Sequence, residues 1–422
     1  MKVKLSDVCD IIKGKTTITK AIEGEYPLVV TGENRLSNNE FQFDCSAVCV
    51  PLVSATGHGH ASIKRIHYQE GKFALGSILA AVIPKSINEL NPRYLHIYLS
   101  YFKDSVLVPL MRGSANVSLT IKSLGSAEIE LPSIDKQLEI VRVISKIEKM
   151  KGEIDKYLIN QENIISNMKK EILQLAVQGK LVPQDPNDEP ASVLLERIKE
   201  EKERLIKEKK IKKEKPLAEI SEEEKPFELP GRWEWVRLKE IGYNLGQKKP
   251  DIKFTYIDVG SINKEKGEIG EELTIIEPEN APSRARKLVD KGTVIYSTVR
   301  PYLLNIAIVD KEFEFEPIVS TAFAIIHPYE GINSKYILYY LRSIHFIKYV
   351  ESKMVGMAYP AINDEKFYSG LFPMPPLAEQ KRIVEKVDSL MKLCDDLESK
   401  IEKQKNYSNR LMESIIKSSL AK

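Results

Sequence analysis

The sequence predicts an α+β protein written as a tandem repeat: two globular domains of mixed helix and strand, each followed by a long helix. Three observations predict it. First, "LPSIDKQLEIV" at 131–141 and "MPPLAEQKRIV" at 374–384 read alike, 243 residues apart. At that offset residues 111–179 align without a gap onto 354–422, with Met111/Met354, Gly113/Gly356, Pro132/Pro375, Gln137/Gln380, Ile140/Ile383 and Ile172/Ile415 among the identical pairs. Second, both segments run into an apolar repeat of 3.5 residues. The a positions are Ile144, Lys151, Leu158, Ile165, Ile172 and Val387, Cys394, Ile401, Ser408, Ile415. The d positions are Ile147, Ile154, Gln161, Met168, Leu175 and Leu390, Leu397, Gln404, Leu411, Ser418. Fifteen of these twenty are apolar, enough to read each run as a coiled-coil helix about 60 Å long. Such a stripe needs cover, and the simplest partner for one helix is the other. Third, short β-rich runs punctuated by turn residues ("SAVCVPLVSA", "GSILAAVIP"; "GTVIYSTV", "STAFAIIHP") precede each helix.

In order along the chain, the reading gives a first globular domain over 1–132 and a first long helix over 133–180. A central linker follows over 181–230, then a second domain over 231–376 and a second long helix over 377–422. "VKLSDVCDIIKG" opens the first domain and "VRLKEIGYNLGQ" the second. A helix is expected late in each, at 91–102 and 333–347. The linker opens on the turn-rich "LVPQDPNDEPAS" and continues as a charged helix, "VLLERIKEEKERLIKEKKIKKEKP", read first as a solvated linker and second as a docking surface.

Composition bounds the function. Apolar residues make up 42% and charged residues 29% of the chain, the net charge is +3, and no apolar run is long enough to span a membrane. Four cysteines without a framework spacing and an N-terminus without a signal pattern place the expected location in the cytoplasm. "NPRY" at 91–94 is an incomplete version of the N-P-P-Y loop of DNA adenine methyltransferases and reads better as a helix N-cap. "KGKTT" at 13–17 lacks the earlier glycine of a phosphate-binding loop. Cys45, Cys49, His58 and His60 have only loosely metal-like spacing, so no metal is expected. No paired-carboxylate, H-E-x-x-H or nucleophile-elbow pattern is present. The chain reads as a binder rather than a catalyst.

The run from Gln178 to Ile241, with the two P-x-x-x-Q-x-x-I-V segments, closely resembles the central region and helix starts of type I restriction–modification specificity subunits. The resemblance implies two target recognition domains in a pseudo-two-fold repeat, joined by two long antiparallel coiled-coil helices. Each domain would read one half of a split site in double-stranded DNA. The chain would do no chemistry and hold no cofactor. Modification subunits, two of them expected, would bring S-adenosylmethionine, and restriction subunits would bring ATP and Mg²⁺. A scaffold that binds no DNA is the alternative. The resemblance sets the DNA-facing loops in the repeat-aligned 111–119 and 354–362 and after the central strands. Base and phosphate readers need Arg, Lys, Asn, Gln, Ser or Thr there. In the first domain the candidates are Asn34, Arg35, His58, His60, Arg112, Ser114 and Asn116. In the second they are Asn263, Lys264, Arg284, Arg286, Thr298, Arg300, Tyr302 and Tyr359, although the two tyrosines read slightly better as core. Gln161 and Gln404, repeat equivalents at mid-seam d positions, are expected to meet and fix the helix register.

Overall fold

The computed structural model describes residues 1–56, 60–114, 116–213 and 217–420. It divides into two compact units, one of Met1–Ile159 with the chain from Glu402 onward, the other Asn160–Ile401.

The first unit holds two four-stranded sheets. One runs in the order Cys9–Lys13, Leu79–Pro84, Ala47–Pro51, His67–Gln69, antiparallel throughout. The other runs Leu36–Asn38, Tyr26–Val29, Lys72–Leu75, Phe43–Asp44, with the central pair parallel. Ala47–Pro51 is buried along its whole length, as expected for a small and β-branched run covered on both faces. The helix Pro92–Val106 packs Leu95, Tyr98 and Leu99 into the same core as Val48, Val50 and Val82.

The second unit repeats this plan. Gly242–Tyr243, Phe323–Pro328 and Val294–Ser297 lie in the order of their counterparts, and the sheet then extends through Ile306–Ile308, Glu268–Ile269 and Ile262–Asn263. Thr274–Ile276, Phe254–Ile257, Pro317–Ser320 and Ala285–Leu288 reproduce the second sheet, again with the central pair parallel. Where one helix is expected over 333–347, two form: Ser334–Leu341 and Ile344–Lys353. Ser343 causes the break, because its hydroxyl accepts from the Phe346 N–H and starts a new helix.

The repeated motif has a physical reason. Gln137 is fully buried; its Oε1 accepts the Asn91 N–H at 2.8 Å, and its Nε2 donates to the Glu89 and Pro132 carbonyls. Gln380, equally buried, accepts the Asn333 N–H at 2.9 Å and donates to the Pro375 carbonyl. Asn91 and Asn333 cap their helices through Oδ1. Tyr94 and Tyr336 then donate to the carbonyls of Glu130 and Pro373. Each domain is thus fastened to the start of its long helix by one amide. An apolar residue there would orphan a buried N–H and buried carbonyls.

The long helices are Ile134–Val177 and Leu377–Leu420, 44 residues each. In the first unit Ile416 and Leu420 share a core with Ile140 and Ile144, while Glu148 and Glu413 both act on Tyr101. In the second unit Lys169 pairs with Asp395 and Glu398, and Gln184, beyond the first helix, donates to Glu379 near the start of the second. Both sets require antiparallel helices. The expected two-sided seam needs correction, however. The a positions Ile144, Leu158, Ile165, Ile172, Val387, Cys394 and Ile401 are buried, while the d positions Ile154, Met168, Leu397 and Leu411 are exposed. Gln404 is exposed and Gln161 half-buried. Neither glutamine has the buried setting expected of a register-fixing amide, and the d positions Ile147, Leu175 and Leu390 are half-buried.

The charged linker also departs from expectation. Its helix is Ala191–Lys207, ended by Lys209 in the left-handed region at φ 58°. It is docked, not solvated: Leu194, Ile198 and Leu205 are buried, and Glu201 accepts the Glu330 N–H. Glu379 locks the linker to the second helix by accepting from Trp233 Nε1 at 2.9 Å and from Gln184. Arg382 pairs with Asp188. The first copy has Lys136 in place of Glu379.

Candidate nucleic-acid interface

In each domain a central strand runs out into a loop that is zipped to a second loop. After Ala47–Pro51, Val53 bridges Ser118, which also bridges Arg112. The Ser54 N–H donates to the Val117 carbonyl and the Leu119 N–H to the Leu52 carbonyl. After Val294–Ser297, Val299 bridges Ala361, which also bridges Val355. The Arg300 N–H donates to Pro360 and the Ile362 N–H to Thr298. Gly113 and Gly356, at φ 130° and 107°, allow the same turn in both. Backbone hydrogen bonds thus align the two tips residue for residue: Arg112 with Val355, Ser114 with Met357, Asn116 with Tyr359 and Ser54 with Arg300.

In the first domain Arg112, Ser114 and Asn116 are exposed on this tip. One Arg112 guanidinium nitrogen donates to the Pro109 and Met111 carbonyls, which braces the side chain along its loop. Beside the tip, Ser54 and Thr56 hydroxyls donate to the carbonyl of the exposed His60, and Thr56 meets Ser62. His58 lies outside the described residues. Arg35 is committed elsewhere. It donates to Gln69 Oε1, His67 Nδ1 and the Tyr68 carbonyl, which staples the 34–35 turn to a sheet edge. Burial, then the charges of Arg35 and Arg65, push His67 down to about 4, so it is neutral and accepts from Arg35. Asn34 is exposed on that same turn.

In the second domain the tip gathers Arg300, Tyr302 and Tyr359. Both tyrosines are exposed, at 44% and 71%, which corrects the core reading. They stand on two loops joined by the Arg300–Pro360 hydrogen bond. The Arg300 guanidinium lies 4.8 Å from the centroid of the Tyr359 ring, a cation–π contact, and its backbone is left-handed at φ 47°, an uncommon state for a residue other than glycine. Thr298 is not available to a ligand: it is buried and its hydroxyl donates to the Ala322 carbonyl. Arg284 is exposed next to the tip, its carbonyl accepting from Thr321, one residue from the Ala322 that bonds Thr298. Arg286 is half-buried on the same strand and donates to the Ala285 carbonyl. Asn263 and Lys264 are not brought there. They turn at the far end of the sheet, where Glu268 pairs with Ile308 and Arg342 holds the Lys264 carbonyl.

Sequence reasoning missed Val355 and Met357, exposed on the tip, because the search was for polar readers. It also missed Lys287, buried beneath Arg284 and Arg286, which donates to the Phe323 carbonyl and pairs with Asp364 at 3.2 Å. The 243-residue alignment was the signal that could have found the tip residues.

Comparison with known proteins decides the family. Residues 1–164 and 230–405 match the type I restriction modification DNA specificity domain. The chain belongs to this type I specificity family. The EcoAI specificity subunit of Escherichia coli is 37% identical over 272 residues, 63% of this chain. The match spans about half the length of the first relatives, 45% for EcoAI and 44% for the E. coli EcoEI subunit. The E. coli EcoDI specificity subunit is 21% identical over 98% of this chain and 86% of its own. A solved chain from work on assembly and conformational transition of the type I R-M system covers 100% of this chain and 97% of its own. Its TM-score is 0.59 at 16% identity, a likeness of fold.

Proposed function

We propose that this chain is the DNA sequence-recognition subunit of a type I restriction–modification complex, with each domain reading one half of a bipartite duplex site. The observation that carries this is the pair of tips: one backbone scaffold, built twice in a member of the specificity family, with Arg112, Ser114 and Asn116 on one copy and Val355, Met357 and Tyr359 at the aligned positions of the other. Shared scaffold gives equivalent docking, and differing side chains give different bases. The antiparallel helices set the spacing between the half-sites.

On this reading the chain carries no chemistry and acts in the cytoplasm. Two modification subunits supply S-adenosylmethionine, and restriction subunits supply ATP and Mg²⁺. Exposed apolar residues on the long helices support a seat for partner subunits, since Ile164 and Met168 on one helix and Leu393 and Leu397 on the other are exposed, and exposed apolar stripes mark interaction sites. The scaffold alternative gives no reason for Arg300, Arg284 and Arg112 to stand on or beside the tips.

Methylation of host or plasmid DNA by the chain together with its modification subunits tests the proposal. The expected result is adenine methylation at one bipartite sequence, and exchange of residues 1–132 for those of a relative should change one half-site only. Methyl transfer by the purified chain alone, or a change in both half-sites on exchange, overturns it.

A further inference from the structure

The second tip has the wrong chemistry for a hydrogen-bonding reader. Over 354–360 ("MVGMAYP") there is no charged, amide or aliphatic hydroxyl side chain, and the only polar group is the Tyr359 phenol. Val355 is 67% exposed and Met357 is fully exposed. Single exposed apolar residues are ordinary, but these stand with Tyr359, Tyr302 and Leu303, all exposed, on two loops tied together by the Arg300–Pro360 and Ile362–Thr298 hydrogen bonds. The loop is also braced, because Val355 and Ala361 exchange hydrogen bonds at 2.9 and 3.0 Å and Arg300 covers the Tyr359 ring. The apolar groups are therefore presented rather than left over.

Among the base edges in the major groove, thymine alone offers an apolar feature, its C5-methyl group. Methionine suits such a contact because it is unbranched, polarizable and able to adjust to a methyl's position. We infer that the second domain recognises its half-site in part by apolar contact with thymine methyl groups, with Met357 making the contact and Arg300-braced Tyr359 supporting it. This rests on the DNA-recognition reading above. Flanking Arg300 and Arg284 favour duplex DNA over an apolar protein partner on this face. The first tip, with Arg112, Ser114 and Asn116 at the aligned positions, is left to read by hydrogen bonds.

The test uses the full chain and a pool of random duplexes to select its bipartite site. Deoxyuridine then replaces every thymine in one half-site at a time, which removes methyl groups and leaves the pairing edges intact. Binding should weaken about fourfold per contacted methyl, the fold-change equivalent to about 0.8 kcal/mol, in one half-site. Met357→Ala should abolish that sensitivity, while Asn116→Ala should keep it. A fully exposed side chain can be truncated without unfolding the domain. Unchanged binding on deoxyuridine substitution in both halves overturns the inference, as does full sensitivity in Met357→Ala; the second result would assign the methyl contact to another residue. Loss of binding in Met357→Ala to thymine and deoxyuridine sites alike overturns it in favour of a wedge between base pairs. Failure to select any bipartite site would instead overturn the DNA-recognition reading itself.

Discussion

The loops at 111–119 and 354–362 hang from the same backbone hydrogen bonds and carry opposite chemistry. Arg112, Ser114 and Asn116 make the first a polar tip; Val355, Met357 and Tyr359 make the second an apolar one, with its cation moved across to Arg300, where the first domain has Ser54. The difference teaches that the tip is separable from its support. The supporting amides, caps and tyrosines are the same in both copies, whereas Arg112, Ser114 and Asn116 give way to Val355, Met357 and Tyr359 at the aligned positions. Side chains at the tip can change without disturbing the fold.

That separation can be broken or sharpened by substitutions, the largest effects first. Gln137→Leu and Gln380→Leu should each cost about 1–3 kcal/mol, because each orphans a buried N–H and carbonyls. Denaturant unfolding should give similar losses, and a cost in only one copy would show that the two supports are not equivalent. Arg300→Ala should weaken DNA binding by about 1–3 kcal/mol and relax preference at the second half-site alone, if the guanidinium reads a base. Competition with variant duplexes measures this, and equal loss over all sequences would reduce Arg300 to a phosphate contact. Asn91→Ala and Asn333→Ala should cost about 1 kcal/mol each through loss of the caps, with DNA preference unchanged. Gln404→Leu should shift stability by no more than about 0.5 kcal/mol, since the side chain is exposed; a clear rise in Tm would mean that the d face is covered in solution. A related pH effect has its largest stated shift in the first unit, while burial also lowers His327 and His345 in the second. His67 is held neutral down to about 4, so the unfolded state takes up a proton below the ordinary histidine value that the folded state refuses. Stability should fall as pH drops through that window, and His67→Gln should flatten the slope.

The sequence by itself determined the repeat, the α+β class, the long helices and the family, because each rests on local pattern: a 3.5-residue apolar period, Asn caps at 91 and 333, and the linker and motif residues around Gln137 and Gln380. The tips were legible as positions. Their chemistry was not, because a search for polar readers passes over Met357, and it credits Thr298 and Arg35 with a freedom that their hydrogen bonds to Ala322 and to His67–Gln69 remove. Only the tertiary structure decided which stripe of each long helix is covered. Heptad position cannot distinguish a from d without the partner's surface, and here Ile165 and Cys394 are buried while Met168 and Leu397 are exposed. The same holds for the linker, whose charges read as solvated until the docking of Leu194 and Ile198 shows that its apolar face is covered. Periodicity is a property of one segment, whereas burial depends on what lies opposite.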